Sequence, residues 1–115
     1  MFPYRRAGQP RQAMVAARWR HKNGLEHRAL VSLLHAPRAL ELARRELAPE
    51  DFLTPSYAAL AAILLDRELG APATHVARQA IVGRPYQPDP DQFDWEAEGA
   101  ATVSLLLERR ERWGR

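Results

Sequence analysis

The chain contains no cysteine, which excludes disulfides and thiolate metal sites and suits a reducing compartment, so a cytoplasmic protein is expected. Lysine is nearly absent as well: one stands against sixteen arginines. With the abundant alanine, this reads as a GC-rich coding bias and says little about function. No apolar run can cross a bilayer, since the stretch 57–65 falls far short of the roughly 20 residues required. Nothing near Met1 resembles a signal peptide, and no membrane partner is expected. No segment sustains an alternation of period two, so strands are not expected.

Chemistry-bearing patterns are missing too. His21, His27, His35 and His75 form no His-Glu-x-x-His pair, and His27 and His35 lie too far apart for one site on a helix, so no metal is expected. Asp89-Pro90-Asp91 formally contains the Asp-x-Asp of some magnesium sites. It lies between prolines with no strand before it, and reads as a turn. There is no phosphate-cradling glycine loop, no nucleophile elbow and no specific serine–histidine–acid arrangement. Neither an enzyme nor a cofactor is expected; the chain reads as a binding module.

What is present is one domain's worth of chain, 115 residues with 46% apolar and 27% charged residues, an ordinary globular composition. Its charge is uneven. Residues 1–22 carry Arg5, Arg6, Arg11, Arg18, Arg20 and Lys22 and no acid, a basic arm of +6; the remaining 11 basic and 14 acidic residues give −3. Such an arm can contact phosphates, releasing counterions. It can equally be a solvated tail or lie on its own acidic body. Met1 to Pro10 lacks periodicity and reads as a lead-in. From Arg11 the pattern turns helical, and Asn23-Gly24 ends it, with Gly24 as the expected left-handed C-terminal residue. Trp19 reads first as packing the arm on the domain and second as stacking on a base.

From residue 23 to 115 the pattern predicts a helical bundle. A helix over Leu25–His35 presents Ala29, Leu30, Leu33 and Leu34 on one stripe. Ala36-Pro37 breaks it, and a helix over Pro37–Leu47 follows, striped by Leu40, Ala43 and Leu47, with a Glu41–Arg45 pair. Ala48–Leu53 is a loop whose Phe52 plugs between helices, and whose Glu50 and Asp51 cap amides and solvate the loop. Thr54-Pro55 starts a helix to about Leu69, the hydroxyl capping it, with Tyr57, Leu60, Ala61, Leu64 and Leu65 inward and Gly70 as its stop. A short helix is expected over 74–82 and a loop over 83–90. Asp91 or Asp94 caps a last helix to about Trp113, with Glu96 and Glu98 near its start and Arg109, Arg110 and Arg112 near its end. Its apolar positions are Trp95, Ala101, Val103, Leu105, Leu106 and Leu107. Gly99 within it is either a weak point or a mark of close helix approach. The fold class is all-α, a compact bundle of about five to six helices. The charged tip ending in Trp113 reads either as a partner-docking surface, with Arg109, Arg110, Arg112 and Trp113 as candidate residues, or as a solvated end.

The order of these features carries a resemblance. Leu33-Leu34-His35-Ala36-Pro37, then Pro49-Glu50-Asp51-Phe52, then Pro55-Ser56-Tyr57, with Val103-Ser104-Leu105-Leu106-Leu107 downstream, resembles the helicase-binding C-terminal domain of bacterial replicative primase. The related N-terminal domain of the replicative helicase shares the theme. The resemblance covers roughly residues 25–110 and implies a module, either a primase fragment or a stand-alone relative, that docks on the hexameric replicative DNA helicase. The family's domain commonly continues into a long helix and a terminal hairpin, whereas this chain stops at Arg115, which leaves the bundle implied to modulate the helicase. Two rival readings stand beside it. One is a self-associating helicase N-terminal-like domain, with which a homodimer is compatible. The other is a small nucleic-acid-binding protein using the basic arm, with weak DNA contact.

Overall fold

The computed structural model describes Met14, residues 16–67 and residues 93–113. Among them the chain is all-α, with one short 3-10 turn and no strand. The helices are α1 (residues 16–22), α2 (Leu25–His35), α3 (Pro37–Glu46), α4 (Pro55–Leu65) and α5 (Trp95–Trp113), and the turn is Pro49–Asp51. The helix expected over 74–82, the loop over 83–90, the Gly70 stop and the Asp89-Pro90-Asp91 turn lie outside the described residues.

α2 is the centre of the bundle, with α3, α4 and α5 packed on it. Its burial runs all the way round: Glu26, His27, Ala29, Leu30, Val31, Ser32 and Leu33 are all buried, and Leu34 is half-buried. A single inward stripe was too narrow an expectation, because a helix surrounded on several sides has no solvent face. Trp19 of α1 is fully buried and meets Trp95 edge-on at 5.5 Å between ring centres, so the aromatic packs the N-terminal helix on the domain.

The punctuation follows local chemistry. Both the backbone amide and the side-chain Nδ2 of Asn23 donate to the Trp19 carbonyl at 3.1 Å, which closes α1. Gly24 has φ −71°, so it is not the left-handed stop expected; it is the extended residue that leads into α2. Ala36 leaves helical geometry ahead of Pro37, and α3 begins there as predicted. The expected Glu41–Arg45 pair gives way to a longer-range one: Glu41 accepts from Arg67 at 2.7 Å.

α4 starts at Pro55, but the Thr54 hydroxyl caps nothing. It ends at Leu65 rather than near Leu69: Asp66 is extended, and Arg44 of α3 donates Nε to the Leu64 carbonyl at 3.2 Å, holding the last turn against α3. α5 is capped by Asp94, whose Oδ1 accepts the Ala97 amide at 3.0 Å.

The inward stripe of α5 is Trp95, Glu98, Gly99, Thr102, Val103 and Leu106, the i, i+3, i+4, i+7 pattern of one helix face. Ala101 and Leu105, expected among its apolar positions, are exposed instead. Thr102 sits inside because its hydroxyl donates to carbonyls of its own helix, Glu98 and Gly99, at 3.0 and 2.9 Å. At Gly99 the helices come close enough that a Cβ would stand 2.6 Å from Ala39 Cβ, 3.6 Å from Ala36 Cβ and 3.7 Å from Ser32 Cβ.

Gly99→Ala should therefore destabilise. Alanine's better helix propensity is worth about 1 kcal/mol, but forcing α5 off α3 costs about 1–3 kcal/mol. Urea unfolding should show a lower midpoint at unchanged slope, and an unchanged or higher midpoint would contradict the close approach.

Candidate functional site

The last turns of α5 pass over the Pro49–Asp51 turn and leave a cleft of about 230 Å³ beside it, lined by Glu50, Asp51, Leu53, Arg109, Arg110 and Trp113. Leu53 is 60% exposed and Trp113 71% exposed, two large apolar side chains flanking one hollow. Exposed Trp on a well-held backbone is the residue type that dominates binding hot spots.

The turn owes its shape to Asp51. Its own amide reaches back to the Ala48 carbonyl at 2.9 Å, and its carboxylate accepts the Ala48 amide at 2.8 Å. The expected capping is what this acid does, whereas the solvation expected with it is not found, since Asp51 is buried. What compensates burial is Arg110, which grips the carboxylate through Nε at 2.9 Å and Nη2 at 2.5 Å and also donates to the Glu46 carbonyl at 2.8 Å. That grip on Asp51 holds the Arg110 guanidinium protonated still more firmly than usual. Phe52, next in sequence, is buried between helices as predicted.

Glu26 of α2 is the second anchor. Its two oxygens accept the amides of Leu53 and Thr54 at 2.9 and 3.0 Å, tying the segment that leads into α4 to α2. Arg109 Nη2 donates at 2.7 Å both to Glu26 and to the Asp51 carbonyl. Burial alone would raise the Glu26 carboxyl, but the two amides and the guanidinium together hold it below its ordinary value.

Sequence reasoning placed Arg109, Arg110, Arg112 and Trp113 together, and the structure divides them. Arg109 and Arg110 form the frame of the cleft through intramolecular bonds, whereas Arg112 and Trp113 are exposed. Leu53, Glu26 and Asp51 were not among the candidates. A helical projection from Trp95 gives the missing signal, since positions 109 and 110 continue the inward stripe and so must find buried acceptors.

Of the basic residues in the arm, Arg5, Arg6 and Arg11 lie outside the described residues. Arg18 and Lys22 are exposed on α1. Arg20 turns inward in part: its Nε and Nη2 donate to Glu98 at 3.3 and 2.9 Å. Glu98 is buried and also accepts Trp19 Nε1 at 3.0 Å and Arg28 Nη1 at 3.3 Å. Trp19, engaged by that bond and fully buried, presents no ring face to a nucleobase. Among the described residues, no cluster of three or more histidines and acids could hold a metal ion, and no helix is long and apolar enough to cross a membrane.

Compared with protein-family models, with curated proteins and with solved structures, the chain finds no significant match in any of the three.

Arg110→Ala should leave Asp51 buried without its partner and cost about 2–4 kcal/mol, slightly below the full range for a buried pair because the arginine is part-exposed. Thermal unfolding by circular dichroism reads the loss, and a change within about 0.5 kcal/mol would show that the turn does not depend on the pair. Glu26 supplies a pH signature. A carboxyl whose folded-state value is depressed stabilises the fold above its unfolded value, 4.5, and loses that contribution as pH falls through the depressed one. The stability gap between parent and Glu26→Gln should thus be widest above that pH and narrow on acidification; a gap independent of pH would contradict the pairing.

Proposed function

We propose that this chain is a non-catalytic interaction module of the bacterial DNA replication machinery, docking primase or a primase-like protein on the hexameric replicative helicase. The observation that carries docking is the cleft: Trp113 and Leu53 stand exposed beside a hollow whose frame is fixed by buried ion pairs. The partner's identity comes from the resemblance of Leu25–Leu69 and the downstream Val103–Leu107 run to the primase helicase-binding domain. In the described residues the elements carrying those motifs are helices joined at Pro37, Pro49 and Pro55, in the expected order.

The division of labour within the cleft is physical. Arg109 and Arg110 have their donors directed into the bundle, so they hold Trp113 in place rather than reach for a partner. Trp113, Leu53 and Arg112 are the contacting groups. A pre-organised apolar pair loses little conformational entropy on binding, which is how a small surface can bind usefully.

Calorimetry with the replicative helicase of the same organism tests this reading. Saturable binding is expected, with Trp113→Ala and Leu53→Asp each weakening it at least about tenfold. Arg112→Ala should weaken it less, as an exposed charge at the rim. Removing residues 108–115 is a poor substitute, because it also removes the ties to Glu26 and Asp51. No binding at high micromolar helicase would refute the reading.

A second reading, nucleic-acid contact through α1, rests on the exposed Arg18 and Lys22 within the +6 stretch. It predicts affinity for single-stranded DNA that falls with a log–log salt slope of about −0.7 per phosphate contact. Salt-insensitive or absent binding would exclude it.

A further inference from the structure

α1 is held to the bundle in a different way from the other helices. Its seven residues, 16–22, are too few to keep a helical shape alone. Among its described side chains only Trp19 is buried, and residues 17, 18 and 20–22 are exposed. The Trp19 ring rests against His27 of α2 and against Phe93 and Trp95 at the start of α5, with ring centres 6.2, 6.3 and 5.5 Å away. The polar ties of Trp19 and Arg20 converge on one carboxylate: Trp19 Nε1 donates to Glu98 Oε2, and Arg20 donates to Oε1 through Nε and Nη2. α5, by contrast, is fixed at separate points, by Glu96 to α3, by Arg109 to α2 and by Arg110 to the Pro49–Asp51 turn. None of those ties involves α1.

Two features let this helix part from its seat at low cost. The first is Arg28 of α2, whose Nη1 also donates to Glu98 Oε2, at 3.3 Å, and whose side chain is only 14% exposed. With α1 withdrawn, Glu98 keeps that guanidinium and gains water, so no buried charge is stranded. The second is the joint. The Asn23 amide donates back to Trp19 and closes α1, whereas the Arg28 amide donates to the Gly24 carbonyl at 3.0 Å and opens α2. The backbone bonds on the two sides of the joint are therefore separate, and turning there spares the first turn of α2. A Cβ at Gly24 would meet nothing within 4 Å, so the joint is also uncrowded.

We propose that α1 is a hinged strap: it swings out about Asn23-Gly24 as one unit while α2 to α5 stay folded, and it uncovers an aromatic seat formed by His27, Phe93 and Trp95 beside Glu98. Closed, the strap occludes that seat with its own indole; open, it presents Trp19 and Arg20 to solvent. Segments that open locally are those with few buried apolar contacts, and one buried side chain is α1's share among the described residues. Arg18 and Lys22 are exposed with the strap closed, and the cleft at Trp113 lies at the other end of α5. The strap therefore holds or fails independently of nucleic-acid contact and of helicase binding.

Native-state hydrogen exchange of the full chain tests it, read amide by amide by NMR at urea concentrations below the unfolding transition. The amides of residues 20–23 should exchange at least about a hundredfold faster than those of Leu33 in α2 and Val103 in α5. Their rates should barely change with urea, because swinging out one short helix exposes little surface, whereas the Leu33 and Val103 rates should climb steeply. Arg110→Ala weakens the bundle in the closed and the open form alike. It should speed Leu33 and Val103 at least about tenfold and leave residues 20–23 unchanged. Trp19→Phe keeps a ring in the seat and deletes the indole donor, and it should speed residues 20–23 about tenfold. Amides of α1 that share the urea dependence of Leu33 and Val103, that speed up with them in Arg110→Ala, or that ignore Trp19→Phe would each overturn the proposal. If Arg110→Ala does not fold, the urea dependence of the parent decides alone.

Discussion

The closeness of α5 to α2 and α3 is the constraint on which the other features rest. Only glycine fits at position 99, where a Cβ would stand 2.6 Å from Ala39 Cβ. That contact fixes both the distance and the rotation of α5, and everything else on its inner face follows at helical spacing. Three residues earlier, Glu96 meets the start of α3 and accepts the Arg38 and Ala39 amides at 3.2 and 3.0 Å, a cap that Ala36 cannot supply. One residue earlier, Glu98 meets α1 and α2. Ten and eleven residues later, Arg109 and Arg110 arrive over Glu26 and Asp51. A small rotation of α5 would break all of these together.

Charged groups here do what apolar packing cannot. Leucine and alanine surfaces tolerate small slips, because dispersion is non-directional and each atom contact is weak. A buried carboxylate tolerates none, since each lost donor leaves an unpaired lone pair in a low-dielectric interior. Glu98 takes donors from Trp19, Arg20 and Arg28, and Glu26 takes them from Leu53, Thr54 and Arg109. Each carboxylate is satisfied only when separate parts of the chain stand in one arrangement. The cleft beside the Pro49–Asp51 turn inherits that definition, because Asp51, Arg109 and Arg110, which line it, belong to the ion pairs that align the bundle.

Much of the backbone was legible in the sequence. Proline and its predecessor marked the starts of α3 and α4, Asp94 was one of two candidate caps for α5, and the burial of Trp19 and Phe52 followed from their size. The close approach at Gly99 was one of two readings offered for a glycine within a helix. The charged interior was not legible. Glu26, Asp51 and Glu98 look like solvent-facing acids when each is read alone, because the groups that make their burial tolerable lie far away in sequence. Apolar identity also misled at Ala101 and Leu105. Spacing from Trp95 points instead to Glu98 and Thr102, whose polar atoms find partners inside. The expected hydroxyl cap at Thr54 failed too: Glu26 of α2 holds the Leu53 and Thr54 amides, and the Thr54 hydroxyl takes none of the first-turn amides of α4.

The ties that neutralise the interior join segments far apart in the sequence. Trp19 and Glu98 are 79 residues apart, and Glu26 and Arg109 are 83 apart. During synthesis α1 and α2 leave the ribosome long before α5 does, and translation adds only about 5–20 residues per second. For those seconds Glu26 has no guanidinium, the Trp19 indole has no acceptor on α5, and the apolar surface of α2 lacks its principal cover. The native core therefore closes only once the last helix has emerged, and a ribosome stalled before Trp95 would hold a nascent chain that has helices but no finished interior.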